Sequence, residues 1–441
     1  MNQHNTITLL SIFMVMLTSG CISHTPSTVT LTPGVSPIAT FTETSAPTKA
    51  PTATDTITPS ATESPLIEIS SQSSLNPLAE FPEITEIHMT NETSGWAFAS
   101  IEDNVLVLHT SDGGTSWRDV TPPFEIWSAY IGTDEGFLPQ LGESSFLDDS
   151  RAWISTVRFD KTRPQDAYTN KIMLSTEDGG ATWRLHKFPP EGVGYGHFVD
   201  FVDPLHGWFV MHEIATSSTS YTGLYRTVDG GKSWDTVLNS FGTSSGKLRA
   251  IAFGDTLTGV MTDSFFGWDI PLYVRWTHDG GTTWETQDIP EPEDPSINDP
   301  SISDFECGSI FPHAFSKLEV AFLAECRMLK DAGTTENIYV FSHYLYSTED
   351  GGLSWQAYPA PSGHLHLLTP NYGWMLGQEI HLTEDGGKSW TKINEVTWQG
   401  QFNFIDAFHG WAVARNDDEI ALVKTENGGR SWMIVVPKLE Q

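Results

Sequence analysis

Carboxylates are the first groups here whose number and spacing could do chemistry. The chain of 441 residues holds 56 Asp and Glu against 23 Lys and Arg, a formal charge of -33. That excess offers chance pairs of carboxyl groups for acid-base work and oxygen ligands for a hard cation. The densest run, Pro290 to Glu306, carries Glu291, Glu293, Asp294, Asp299, Asp304 and Glu306, but without EF-hand spacing. Its prolines make it an extended, solvated stretch, so no metal and no cofactor is expected. A second chemistry is recognition. Arg158, Lys161, Arg163 and Lys171 are the one basic concentration in the acidic chain, beside Phe159 and Tyr168; Phe124, Trp127 and Tyr130 form one aromatic cluster, and Phe265, Phe266 and Trp268 another. Rings supply contact area and arginines supply orientation. Trp127, Arg158, Lys161, Arg163, Phe266 and Trp268 are therefore expected to form a binding patch for a protein or a glycan. The plainer reading tucks these aromatics against their own scaffold.

The elements that must position such groups follow from a repeat. Thr-x-Asp/Asn-Gly-Gly-x-Ser/Thr-Trp occurs seven times between Thr110 and Trp432, at Asp112, Asp178, Asp229, Asp279, Asp350, Asp385 and Asn427. Asx-Gly-Gly between two β-prone runs supplies the positive φ of a tight turn, and the side-chain oxygen can accept nearby N–H groups. The Trp five residues after the Asp opens the outgoing strand; burying about 150 Å² of it at about 25 cal/mol per Å² is worth at most roughly 4 kcal/mol. A fainter repeat lies upstream, at Gly95-Trp96, Gly207-Trp208, Gly373-Trp374 and Gly410-Trp411, with Ala152-Trp153 and Gly259-Val260 as variants and Glu319-Val320 in the equivalent place of the fifth unit. Another strand-like run precedes each pair. Every unit thus reads as four short antiparallel strands, and seven units make an all-β, seven-bladed β-propeller. Successive Asp/Asn positions lie 66, 51, 50, 71, 35 and 42 residues apart, each gap long enough for four strands. The blades are expected near 83–121, 122–190, 195–240, 246–289, 301–360, 362–395 and 399–437, and Leu66 to Ser70 is a candidate extra strand on the last one.

This motif resembles the Asp-box, or BNR repeat, of sialidases, xyloglucanases, sortilin-type receptors and the photosystem II assembly and stability factor family. The likeness covers about residues 83 to 437. The lines YGWMLGQEIHLTEDGGKSW (Tyr372 to Trp390) and HGWAVARNDDEIALVKTENGGRSW (His409 to Trp432) are most similar to the last family, which implies a seven-bladed propeller that binds protein rather than an enzyme. Sialidase chemistry would require an arginine triad, a Tyr-Glu nucleophile pair and an acid. The chain has eleven arginines but no Arg-Ile-Pro signature, so no catalytic residue is assigned; glycoside hydrolysis and polysaccharide binding remain the alternatives.

The N-terminus sets the compartment. Thr6 to Leu17 is apolar but too short for a permanent span, and Leu17-Thr18-Ser19-Gly20-Cys21 reads as a lipobox whose Cys21 is lipidated. A plain signal peptide and an uncleaved anchor are the alternatives. Residues 1–21 are thus a lipoprotein signal peptide, 22–70 a Thr/Ser/Pro-rich tether and 71–441 the propeller. Fully extended, some 45 tether residues at about 3.1 Å each reach about 140 Å. The expected protein is extracytoplasmic, a bacterial membrane lipoprotein in the periplasm or at the cell surface, monomeric, touching the membrane through its anchor only. Its charge disfavours nucleic acid and anionic lipid, leaving a protein or membrane-complex partner, or a glycan.

Two cysteines remain, Cys307 and Cys326. With the fifth blade's first turn centred between Ser316 and Lys317 they stand opposite across a hairpin, and an oxidising compartment favours a disulfide over free thiols. In such a ring all seven Asp-Gly-Gly turns share one face. The insertions Pro122 to Gly142, Thr156 to Lys171, Ala215 to Gly223, Asp263 to Pro271, Pro290 to Glu306 and Arg327 to Asn337 fall on the other, over blades two to five, where binding is expected.

Overall fold

The computed structural model describes residues 67–69, 81–101, 104–123, 126, 137–160, 172–187, 194–216, 219–241, 247–264, 272–293, 302–330, 338–416 and 419–440. Strand β1 (Ile67–Ile69) precedes the ring. Blade 1 is β2 (Glu83–Met89), β3 (Gly95–Ile101), β4 (Asn104–Thr110) and β5 (Ser116–Asp119); blade 2 is β6 (Phe137–Phe146), β7 (Ala152–Asp160), β8 (Ile172–Thr176) and β9 (Arg184–Lys187). Blade 3 is β10 (Gly194–Phe201), β11 (Gly207–Thr216), β12 (Thr219–Thr227) and β13 (Asp235–Phe241); blade 4 is β14 (Lys247–Phe253), β15 (Gly259–Ser264), β16 (Tyr273–Thr277) and β17 (Glu285–Asp288). Blade 5 is β18 (Ile302–Ala314), β19 (Val320–Lys330), β20 (Ile338–Thr348) and β21 (Gln356–Ala360); blade 6 is β22 (His364–Thr369), β23 (Tyr372–Leu376), β24 (Glu379–Thr383) and β25 (Thr391–Glu395). Blade 7 is β26 (Gln399–Phe404), β27 (Gly410–Asn416), β28 (Glu419–Thr425) and β29 (Trp432–Val435), and β30 (Lys438–Leu439) follows. Each blade is an antiparallel sheet in chain order, and together they form a seven-bladed β-propeller.

The ring closes with two added strands. β1 lies antiparallel on β29, the outer strand of blade 7, while β30 lies parallel on β5, the outer strand of blade 1. On the inner side Gln401 of β26 accepts the Ile87 N–H and donates to the Ile87 carbonyl of β2, at 2.9 and 3.0 Å.

The Gly-Trp pairs explain how blades stack. Phe201 ends β10, and its ring lies flat on Gly207 of its own blade, where a Cβ would stand 2.6 Å from the ring. On the ring's other face Trp153 of blade 2 stacks at 3.7 Å between centroids. Blades 3 and 4 repeat the sandwich with Trp208 on Phe253 at 3.5 Å, and blades 6 and 7 with Trp374 on Phe404 at 4.0 Å. A glycine is needed because any side chain would occupy the ring's place. Blade 5 departs from the pattern. The register sets Val320, opposite Ala314 and Thr348, where five blades have Gly and blade 2 has Ala152, so Ala321 takes the Trp position. The equivalence is one residue later than Glu319-Val320, because Glu319 completes the preceding turn, its N–H donated to the Ser316 hydroxyl.

Several expected insertions are partly strand. Ala215–Thr216 and Thr219–Gly223 belong to the β11–β12 hairpin, whose Thr and Tyr residues suit a pleated ribbon, and Thr156–Asp160, Arg327–Lys330 and Ile302–Glu306 lengthen β7, β19 and β18. Cys307 faces Cys326 directly across β18 and β19, and a disulfide joins them.

The sandwich yields a test. Gly207→Ala is expected to destabilise the propeller by about 1–3 kcal/mol through overpacking, read as a lower denaturation midpoint in urea, whereas Gly377→Ala, where a Cβ would meet only ordinary contacts at 3.8 and 3.9 Å, should not disturb the Trp-Phe stack seen by near-ultraviolet circular dichroism.

Candidate functional site

Each Asp-Gly-Gly turn is a closed hydrogen-bond circuit. In blade 3 the Thr227 hydroxyl donates to Asp229 Oδ1 at 2.8 Å and accepts the Gly231 N–H at 2.8 Å. Asp229 Oδ1 also accepts the Ser233 N–H at 2.9 Å, and Oδ2 accepts its hydroxyl at 2.6 Å. Gly230 and Gly231 adopt φ of 75° and 86°, the left-handed region that glycine enters without strain. Asp112, Asp178, Asp279, Asp350 and Asp385 repeat the circuit. Asn427 preserves it with the direction of one bond reversed, its amide donating to the Ser431 hydroxyl at 2.8 Å. Hydrogen bonds from the Thr182 hydroxyl and N–H hold Asp178 below the ordinary carboxylate value, and the Ser354 and Ser389 hydroxyls do the same for Asp350 and Asp385. These oxygens are committed to the turn, which makes the motif structural.

The first glycine of the turn also joins elements. Its N–H reaches the carbonyl of the same blade's first hairpin turn in all seven blades, as from Gly230 to Leu205 at 2.9 Å and from Gly428 to Phe408 at 2.8 Å. Both turn sets therefore share a face. Its carbonyl accepts the indole N–H of the preceding blade's Trp: Trp153 to Gly230, Trp208 to Gly280, Trp374 to Gly428 and Trp411 to Gly113, each at 3.0 Å. Where that geometry lapses, substitutes appear. Arg118 donates to Gly179, and Gln287, held by Trp276 Nε1 at 2.8 Å, donates instead to the carbonyl of Gly352, the second glycine of its turn.

A second polar set lines the inner strands, at one register position opposite the Trp position: His88, Ser145, Asp200, His313, His366 and Asn403, with Ala252 the apolar member in blade 4. Four of these residues staple one blade to the next. Ser145 accepts the Phe201 N–H at 3.2 Å, Asp200 the Phe253 N–H, and Asn403 the Met89 N–H at 2.8 Å, while His366 Nε2 donates to the Phe404 carbonyl at 3.1 Å. Burial pushes Asp200 up to about 7 and His366 down to about 3. Glu143, one bulge away on β6, rises to about 8 through burial and then through the charge of Glu86, which also meets His88 at 3.3 Å. Sequence reading missed this set. Its signal was a polar residue eight positions before most of the tryptophans, as in 88 to 96, 145 to 153, 200 to 208, 366 to 374 and 403 to 411.

Of the expected patch, Arg158 lies on β7 opposite Pro139. Trp127, Lys161, Arg163, Phe266 and Trp268 lie outside the described residues, as do Cys21, the tether apart from Ile67–Ile69, which form β1, and residues 294–301 of the acidic run. Among the described residues one group could gather a cation: oxygens of Glu92 and Asp406 and a His409 ring nitrogen lie within 4.8 Å of one another. That group already serves the turn, since Asp406 accepts the Phe408 and His409 N–H groups and His409 Nδ1 bonds it at 2.8 Å. Asp203 and His206 build the same cap in blade 3.

The propeller class is thus set by fold and turn. No protein-family model matches the chain, and no curated protein matches it by sequence. Among solved structures it is similar to YCF48 bound to D1 peptide (16% identity over 86% of this chain and 97% of that one, TM-score 0.46). YCF48 from Cyanidioschyzon merolae is similar at 15% identity, over 82% of this chain and 99% of that one, TM-score 0.46. The polysaccharide lyase Uly1 stands at 10% identity, over 84% and 99%, TM-score 0.46. At these identities and TM-scores the likeness assigns this chain no function.

The buried carboxyl gives a signed pH dependence. Asp200 ordinarily titrates near 3.8 and in the fold near 7, so between those values the native state holds the extra proton and stability falls as pH rises. Asp200→Asn, which still offers an oxygen to Phe253, is expected to flatten that fall in melting temperatures recorded from pH 4 to pH 8.

Proposed function

We propose that this chain is a non-enzymatic, extracytoplasmic propeller, lipid-anchored through Cys21, that holds a protein partner or membrane complex on the face opposite its Asp-Gly-Gly turns, in the manner of an assembly factor. One observation carries the reading: the asymmetry of the connections between the second and third strands. In blades 1, 6 and 7 those strands end at Ile101, Leu376 and Asn416 and resume at Asn104, Glu379 and Glu419. In blades 2, 4 and 5 the gaps run from Asp160 to Ile172, Ser264 to Tyr273 and Lys330 to Ile338, and in blade 3 the strands themselves lengthen. A rigid ring elaborated over one sector is how scaffolds present binding surface. The commitment of the turn carboxylates to internal bonds supports placing function on that other face, and Arg158 stands on it.

The test is crosslinking and affinity purification of the full-length protein from its native membrane, identifying what co-purifies by mass spectrometry. A reproducible membrane-protein partner lost in Arg158→Ala/Arg163→Ala is the expected result; a partner retained at full yield by that variant counts against the patch.

A second reading, glycoside cleavage, is favoured by Glu143, whose carboxyl stays protonated up to about 8 beside Glu86, a combination suited to a general acid. On a panel of sialosides and glucans this reading requires turnover that Glu143→Gln reduces by roughly 100-fold or more; no turnover by the wild type removes it.

A further inference from the structure

Among the described residues, every outermost strand of this propeller except that of blade 5 is covered by an added strand or carries charge. β29 and β5 carry an added strand each. β9, β13, β17 and β25 expose charged residues along their edge, among them Arg184, Asp235, Glu285, Asp288, Lys392 and Glu395, the usual means of blunting an edge. Third strands outrun fourth strands in blades 1 and 7 as well, but blade 5 differs in that the overhang of its third strand is five residues long and exposes large apolar side chains. β21 pairs only with His343–Ser347 of β20. The preceding five residues, Ile338-Tyr339-Val340-Phe341-Ser342, pair with β19 on one side and, among the described residues, with no strand on the other. They carry no charge, and Tyr339, Val340 and Phe341 are 41%, 40% and 55% exposed.

The backing of this segment is rigid. Cys326, opposite Ser342, is joined to Cys307 by the disulfide. The next pair, Glu306 with Arg327, is an ion pair whose carboxylate is buried, and the Arg327 guanidinium lies 5.0 Å from the Tyr339 ring centroid. Such a hairpin, held in register and, among the described residues, unpaired and apolar along one edge, is a preformed template for strand addition, in which backbone hydrogen bonds give affinity and alternate side chains give selectivity. The fold takes an added strand at two other outer edges, through β1 and β30.

We infer that Ile338–Ser342 of β20 receives an extended segment of another protein as an added strand. This rests on the protein-binding reading of the same face, since the segment begins where the blade 5 connection of that face ends. The occupant is about five residues long, apolar at alternate positions, and neutral or basic. A second copy is disfavoured because each chain carries a net charge of -33, which opposes self-association at ordinary salt.

The probe is a library of random 12-residue peptides displayed on phage, selected on full-length protein, with hydrogen exchange read on the selected peptides' complexes. Selected sequences should alternate apolar residues and be enriched in Lys or Arg. The amides of Ile338–Ser342 should exchange roughly tenfold or more slowly in the complex. Tyr339→Lys/Phe341→Lys should abolish binding, and Phe341→Thr, which keeps strand propensity, should weaken it with the melting temperature as folding control. Peptides that protect the blade 2 or blade 4 connections and leave Ile338–Ser342 unchanged overturn the edge while sparing the partner-binding reading. Selection of nothing above background overturns both. A concentration-dependent dimer in sedimentation, lost in the double-lysine variant, gives the edge to a second copy and overturns the heterologous partner.

Discussion

One peptide unit, the first glycine of each Asp-Gly-Gly turn, carries both the closure of a blade and its attachment to the blade before. Gly230 donates its N–H to Leu205 within blade 3 and accepts the indole N–H of Trp153 from blade 2. It can do both only because positive φ turns N–H and carbonyl in directions an L side chain would rarely permit. The Asp circuit around it fixes that conformation, and the Gly-Trp pair supplies the donor that reaches it. Two repeats that look independent along the chain are thus the two halves of one joint, used from blade 2 to 3, 3 to 4, 6 to 7 and 7 to 1.

The joints that depart from this form show what the fold tolerates. Between blades 4 and 5 the Trp position holds Val260, and a different bond links the blades, from Gln287, held by Trp276, to the carbonyl of the turn's second glycine, Gly352. Between blades 5 and 6, Leu345 packs where the turn's second glycine, Gly387, leaves room, a Cβ there standing 2.6 Å from Leu345 Cδ2. Blade 5 therefore loses a directional bond and gains apolar contact. Its long hairpins and disulfide lie in the same blade, and cross-linking across a sequence separation of 19 residues restrains the unfolded chain by about 3 kcal/mol. Stability absent from the joint is supplied within the blade.

What the sequence made legible was local, and what it hid was relational. The turn motif and the strand it opens lie within eight residues, so fold class and blade count could be read from residue types alone. The cysteine pairing shows how such reading can reach the right partner by a path that differs in detail. The first turn of blade 5 is centred on Lys317, since Ala314 faces Val320, half a residue from the expected centre. The irregularity between Ile310 and Pro312 then shifts the register back, leaving Cys307 opposite Cys326. The inner staples were hidden because Asp200 and Phe253, or Asn403 and Met89, are on different blades. The open edge of β20 was hidden because it depends on where a neighbouring strand stops, which no residue in β20 encodes.

The two faces of this ring follow from different demands on charge. On the turn face a carboxylate is useful because it is acceptor-only when ionised and so can satisfy the several converging N–H and O–H donors of each turn. Using that device six times, with Asn427 once, concentrates negative charge on one side and also keeps those oxygens from outside chemistry. Along the inner strands the same group is costly, and Asp200 and Glu143 are driven toward the protonated form. A surface that must meet another chain can follow neither pattern, because desolvating a charge or breaking a turn circuit would cost more than the contact returns. The uncharged edge of blade 5, outside both the turn face and the inner strands, avoids both costs, and so strand addition is the form of recognition this architecture accommodates with least rearrangement.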